Sequence, residues 1–202
     1  AAADAFPAEI KGALQLRQGN KPARTLARPL PVEVEVKWQR FIDSTNGASF
    51  SYTTFGNPGN ISNAAVDFGG GNMGIIYKVS FPTGGSPTPA TQYLITVINN
   101  SRYRSIRDWF AANVDPDQLL INSGSFKLQQ FSNGIEALVL AGPIPDSFDS
   151  GPVSEIFAMS KSMKSVITIT TSNDDTMGRD LGLSRETIMQ SYLQILAGAQ
   201  LP

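Results

Sequence analysis

Residues 126–141 read FKLQQFSNGIEALVLA, and the strand reading of this stretch decides the fold. Phe126–Phe131 and Ile135–Ala141 are two apolar-rich runs of strand length, and Asn133-Gly134 between them is the dipeptide that favours a primed hairpin turn. A connection this short joins antiparallel strands only. On the C-terminal side, Val153–Met159 and Ser165–Thr171 give two more strands beyond the turn-rich loop from Gly142-Pro143 to Gly151-Pro152. On the N-terminal side lie Val32–Val36, Ala48–Thr53, Ala64–Phe68, Gly74–Phe81 and Tyr93–Ile98, each β-branched or alternating. Two helices complete the pattern. Ser105 with Asp108 has capping-box spacing, with Asp in place of Glu, and Ile106, Trp109, Phe110 and Val114 share one face until Asp115-Pro116 ends the helix. Ser184 caps the second, whose stripe is Ile188, Tyr192, Ile195, Leu196 and Ala199.

Strands in meandering order with two helices imply an antiparallel sheet with helices against it, an α+β domain and not a Rossmann fold. The expected core is Trp109, Phe110, Ile135, Leu138, Val166, Ile167, Ile188, Tyr192, Ile195 and Leu196. Val166 and Ile167 are adjacent, so they cannot face the same side of a sheet.

Composition excludes more chemistry than it suggests. The 202 residues include no His and no Cys. No Ser-His-Asp triad, Cys-His pair, Cys/His zinc site, disulfide or covalent haem attachment can be built. A cysteine-free chain suits both a reduced cytosol and a cysteine-avoiding surface protein. The net charge of −1 argues against bulk attraction to nucleic acid or anionic lipid. The chain opens Ala1-Ala2-Ala3 in place of Met, which fits a cut after a signal peptide or membrane anchor as well as an arbitrary boundary.

The motifs read as turn chemistry. Gly69-x-Gly71-x-x-Gly74 matches the dinucleotide fingerprint, but a strand follows it where a phosphate site needs a helix N-terminus, so a hairpin loop is expected and no cofactor. Lys161, Ser162, Lys164 and Ser165 lack the spacing of a Ser–Lys hydrolase and read as a solvated loop. Asp115-Pro116-Asp117, Asp146 with Asp149, and Asp174-Asp175 follow no calcium-loop spacing. Glu136 and Glu155 are candidates for a facing carboxylate pair, the minimum for a carboxylate-dependent hydrolase, although solvent-facing strand positions account for them as well. Arg102-Tyr103-Arg104-x-x-Arg107 interleaves basic and aromatic residues without the repetition that nucleic-acid binding needs. Trp109 is expected in the core and the arginines in solvent.

Residues 1–31 stand apart from the domain 32–202. They carry Lys11, Arg17, Lys21, Arg24 and Arg28 against Asp4 and Glu9, a charge of +3 against −4 for the remainder. Pro22, Pro29 and Pro31 keep the second half from forming a continuous helix. This basic arm is either a tether or a docking segment. As a docking segment, Leu14, Arg17, Arg24, Leu26, Arg28 and Leu30 are its candidate partner-binding residues.

Taken together, several stretches resemble PsbP-like domains, relatives of the extrinsic P protein of photosystem II. The stretch Phe41–Tyr52 resembles their opening, which leads into a strand, and Ser105–Val114 their tryptophan-bearing helix. Asn133-Gly134-Ile135-Glu136-Ala137 resembles their hairpin, Ser165–Thr171 their penultimate strand, and Tyr192–Leu196 their closing helix. The likeness spans roughly 165 residues and rests on core and turn positions, which specify a fold more than a function. It departs at Tyr52-Thr53, where the family has tyrosine-proline, and in the glycine- and asparagine-rich loop Asn57–Asn63. The resemblance implies an α/β/α sandwich, a central, mainly antiparallel sheet with helices on its faces. It also implies no catalytic residues, and a location outside the cytoplasm, secreted or anchored at the cell surface. The function expected on that basis is a non-catalytic protein-binding or assembly module of a membrane- or surface-associated complex. A subunit of a self-assembling surface structure is the alternative, and the carboxylate-dependent hydrolase comes third. The partners expected are proteins or copies of the chain itself, with no nucleic acid.

Overall fold

A computed structural model describes residues 36–69, 72–83, 87–146, 148, 154–171, 178 and 180–201. Nine strands and three helices are used below: β1 Trp38–Asp43, β2 Ala48–Thr53, β3 Asn60–Asp67, β4 Met73–Phe81, β5 Ala90–Asn99, α1 Ile106–Asn113, α2 Leu119–Asn122, β6 Phe126–Gln130, β7 Glu136–Leu140, β8 Ile156–Met159, β9 Ser165–Thr171 and α3 Arg185–Ala197. Seven strands form one sheet in the order β3-β4-β5-β9-β8-β7-β6, antiparallel at every step, and β1 and β2 form a separate hairpin. After β5 the chain leaves through α1 and α2, lays β6 at the far edge, and meanders back through β7 and β8 until β9 closes against β5. The chain is a mixed α+β protein built on this large antiparallel sheet.

The hairpin reading of 126–141 holds in register: Gln130 pairs with Glu136 and Phe126 with Leu140. Gly134 takes φ +83°, a conformation that strains any side chain with a Cβ. The neighbouring Asn133 reaches across to α3, its Nδ2 donating to Leu196 O at 2.9 Å and Ala197 O at 3.1 Å. Those carbonyls belong to the last turn, where the helix itself supplies no donors, so the hairpin turn caps a helix 63 residues away.

Both faces of the sheet are covered, and this is how adjacent Val166 and Ile167 are both buried. On one face Val79, Tyr93, Ile95, Val97, Ala158, Ile167 and Ile169 pack with α3 and the β1–β2 hairpin. On the other, Leu138, Phe157, Met159 and Val166 pack with Ile106, Trp109 and Phe110 of α1 and Leu120 of α2. Phe157 sits among three rings, with centroids 4.9 Å from Phe110, 5.7 Å from Phe126 and 6.1 Å from Trp109. All ten residues expected in the core are buried. The caps are in place too. Ser105 Oγ accepts from Asp108 N at 3.1 Å, and Ser184 Oγ from Thr187 N at 3.1 Å.

Several boundaries differ from the sequence reading. Trp38–Asp43 is a strand although only Phe41 and Asp43 face inward, which leaves no apolar alternation to read. Asn60–Asn63, expected in a loop, begins β3, held by its register with Tyr77–Ser80 and not by β propensity. The four-residue α2 was not expected. It forms because Asp115 Oδ2 accepts from Leu120 N at 3.0 Å and Ile121 N at 3.1 Å. Ser165–Thr171, read as a penultimate strand, is the last strand among the described residues, in which a single bridge between Ser49 and Gln200 follows it. Of the expected strand Val32–Val36, all but Val36 lie outside the described residues, and Val36 is not in a strand.

Candidate functional site

The buried polar groups come first, because catalysis would draw on them. Asp43 closes the β1–β2 turn and accepts from Asn46 N at 3.1 Å, Asn46 Nδ2 at 2.7 Å, Asn63 Nδ2 at 3.0 Å and the Tyr77 hydroxyl at 3.0 Å. The Asn46 side chain, helped by the Tyr77 hydroxyl and the other donors, holds its carboxyl below the usual range against the opposing effect of burial. Burial, with the Asp43 carboxylate next, pushes the Tyr77 hydroxyl well above its ordinary value and keeps it a donor. Tyr93 is similarly raised by burial. Its hydroxyl donates to Thr53 O at 2.8 Å and accepts from Thr53 N at 3.2 Å. These groups pin the β1–β2 hairpin to the sheet.

Glu155 is buried, and its Oε2 accepts from Thr171 N at 3.0 Å. Glu136 pairs with Met159 at one end of the β7–β8 ladder, whereas Glu155 precedes β8 at the other, its carbonyl bonded to Leu140 N. The facing pair expected for a hydrolase is therefore not formed, because antiparallel pairing sends the two residues to opposite ends of the strands. Nor is Glu155 in the solvent-facing position suggested for it. Among the described residues no group of three or more acidic side chains is placed to hold a metal ion. Asp115 Oδ1 is buried without a hydrogen-bond partner, but its other oxygen is committed to α2. Of the glycine motif, Gly69 follows β3 and Gly74 lies in β4, so a strand and not a helix leads out of it, while Gly71 lies outside the described residues. Gly74 is needed there for close packing: a Cβ would come within 2.6 Å of Val97 O and 2.8 Å of the Phe68 ring.

One end of the sheet has a different character. There β5 ends beside the start of β9, and two loops meet, residues 100–104 (Asn-Ser-Arg-Tyr-Arg) and residues 160–164 (Ser-Lys-Ser-Met-Lys). Asn100 joins them. Its N donates to Lys164 O at 2.7 Å, its Nδ2 donates to Met163 O at 2.6 Å and Tyr103 O at 2.8 Å, and its Oδ1 accepts from Tyr103 N at 3.0 Å. Together the loops carry Arg102, Arg104, Lys161 and Lys164, all exposed, and no acid. Arg102 lies 5.3 Å from the Tyr103 ring centroid. The stem of Lys161 rests on Gly134, beside a depression of about 590 Å³ lined by Asn133, Ser160, Ser162 and Gln200 among others.

At the same end stand exposed apolar side chains. Met163 takes φ +60° at its loop tip, while Phe68 and Met73 flank the β3–β4 turn at 43% and 46% exposure. Five neighbouring strands at about 4.8 Å each put these groups on a front roughly 20 Å wide. Acids on the flanking elements are Asp67, whose Oδ1 accepts from Gly69 N, Asp108 on the first turn of α1, and Glu136 at the start of β7, with Asp43 bonded to Asn63 of β3 and Tyr77 of β4. The opposite end carries Asp146, Asp180 and Glu186 at the surface with Arg185.

The sequence reading saw each half of this pole and discounted both: the arginines are solvated and Trp109 is buried, as expected, and Lys161–Lys164 is a solvated loop. It did not bring them together, since the loops are about 60 residues apart. The available signal was Asn99-Asn100 ending one strand and Ser165 starting another. The arm residues Leu14, Arg17, Arg24, Leu26, Arg28 and Leu30 lie outside the described residues, as do Asp149, Asp174 and Asp175. No helix of the described residues is long and apolar enough to cross a membrane. No protein-family model, curated protein or solved structure matches the chain.

Proposed function

We propose that this chain is a non-catalytic assembly module that works outside the cytoplasm, at a membrane or cell surface, and docks through the pole built by residues 100–104 and 160–164. One observation carries the reading: four exposed cations and three exposed large apolar side chains share one end of the sheet, while Asp43, Tyr77 and Tyr93 are spent on holding the fold together. Exposed apolar groups among cations mark interaction surfaces. The likeness to PsbP-like domains supports the location and the absence of chemistry, and Leu14, Arg17, Arg24, Leu26, Arg28 and Leu30 of the basic segment add contacts to the partner. The test is retention on the native envelope fraction. Arg102→Glu/Arg104→Glu/Lys161→Glu/Lys164→Glu should lose retention while its unfolding free energy stays within about 0.5 kcal/mol of wild type, as exposed positions allow. Undiminished retention would refute docking at this pole.

Self-assembly is the second reading, and β3 favours it. Among the described residues it pairs only with β4, and its eight residues contain no Lys, Arg or Pro to blunt an open edge. Sedimentation at several concentrations separates the readings: mass rising with concentration in the absence of any surface supports self-assembly.

A further inference from the structure

Resting on the docking reading above, we infer that what the pole recognises is the anionic lipid surface itself. The chemistry of the pole is two-part. Arg102, Arg104, Lys161 and Lys164 face outward from two loops without an acid, which matches a negatively charged headgroup layer. Met163 stands between two lysines of its loop and is 37% exposed, and Phe68 and Met73 stand exposed at the neighbouring turn. An acidic protein surface would satisfy the cations but would leave these apolar groups against charge. A bilayer interface offers headgroup charge outside and an acyl boundary just beneath, and so accommodates both.

The geometry is consistent with shallow seating. Met163 is at a loop tip between Lys161 and Lys164, and Phe68 and Met73 flank the β3–β4 turn at the same end of the sheet, so insertion by one side chain's depth brings Lys161 and Lys164 to headgroup level, as long basic side chains permit. The depression beside Lys161, lined by Asn133, Ser162 and Gln200 together with Ile135, Ala199 and Leu201, gives a headgroup and the start of its acyl chain a partly apolar recess. Asn100 holds both loops to a common level through hydrogen bonds to each. The chain's net charge of −1 works against general attraction, so binding would be oriented by this pole and would weaken with salt.

The test uses the full chain and protein-free vesicles, either phosphatidylcholine alone or phosphatidylcholine with phosphatidylglycerol, in co-sedimentation. Wild type should bind the mixed vesicles and not the neutral ones. Arg102→Glu/Arg104→Glu/Lys161→Glu/Lys164→Glu should lower partitioning roughly 10²–10³-fold. Phe68→Ser/Met163→Ser should lower it a few-fold and remove whatever binding persists at high salt. If the fourfold variant fails to fold, Lys161→Ala/Lys164→Ala serves in its place with a loss of roughly 10-fold or more. Equal binding by wild type and charge variants would assign any lipid affinity to the basic segment 1–31 and overturn the inference. No binding to either vesicle, with envelope retention still dependent on the four cations, would also overturn it while leaving the assembly reading intact. Binding to immobilised polyglutamate but not to the mixed vesicles would assign the pole to an acidic protein, and would count against lipid in the same way.

Discussion

Residues 100–104 and 105–110 are neighbours in the chain and opposites in the fold. The second segment is one turn and a half of helix that drives Ile106, Trp109 and Phe110 into a core shared with Leu120, Phe126 and Phe157. The first is a surface loop with two exposed arginines, held by hydrogen bonds to a loop that the chain reaches only some 60 residues later. The difference teaches where each kind of information lies. Helix caps and apolar spacing are local, so they can be read along the chain. A binding surface assembled from strand ends depends on which strands are neighbours, and here that neighbour is β9, non-consecutive with β5.

The sharpest way to break this contrast is to damage the helix and ask whether the loop follows. Trp109→Ala should cost roughly 3–5 kcal/mol, because its ring is enclosed against Phe157. Denaturant melts would report the loss, and below the melting transition the variant should bind its surface as wild type does. A cost under about 1 kcal/mol would mean that the α1 face is not a cohesive core.

A smaller effect is expected from the staple itself. Asn100→Ala removes a buried side chain that bonds two loops, and should cost about 2–3 kcal/mol on the scale of several lost hydrogen bonds. Unlike Trp109→Ala, it should also weaken surface binding in the folded protein, since residues 100–104 and 160–164 are no longer held level. Binding unchanged in the folded variant would show that the loops keep their places without it.

The smallest effect lies at the hairpin anchor and carries a pH signature. The Asp43 carboxyl is held below its ordinary range by Asn46, Tyr77 and Asn63. An acid with a depressed folded pKa stabilises the fold above its unfolded value, near 3.9, and loses that contribution as pH falls through the folded value. Asp43→Asn should therefore cost about 1–2 kcal/mol at neutral pH. The gap between wild type and variant should narrow as pH drops below about 4. A gap that is constant across that range would mean that the carboxylate's charge plays no part.

What was legible in the sequence follows the same division. The hairpin at Asn133-Gly134, both helix caps and the run Ser165–Thr171 all rest on local chemistry and are present. The turn, however, is not the primed type expected: Gly134 alone has positive φ, and its N bonds Phe131 O. Burial of both Val166 and Ile167 posed a difficulty on the sequence alone and resolves once both faces of the sheet are seen to be covered. The first strand, β1, was missed because only Phe41 and Asp43 of its six residues face inward, which leaves no inward-apolar, outward-polar alternation, and the start of β3 because Asn, Ser and Ala are poor strand formers that its partner β4 holds in place. The carboxylate pair failed for a topological reason, since β7 and β8 run in opposite directions and carry Glu136 and Glu155 to opposite ends. The pole was invisible for the same reason that it exists, which is strand adjacency.

Hydrogen exchange on the surface-bound full chain tests the central claim most directly, because it reports where contact occurs without altering a residue. The expected result is slowed exchange at the backbone amides of residues 101–104 and 161–164 and around Phe68 and Met73, with β3, β6 and the opposite end of the sheet unchanged. Protection along the β3 or β6 edge, or at the Asp180 and Glu186 end, with residues 101–104 and 161–164 exchanging as in the free protein, would contradict it.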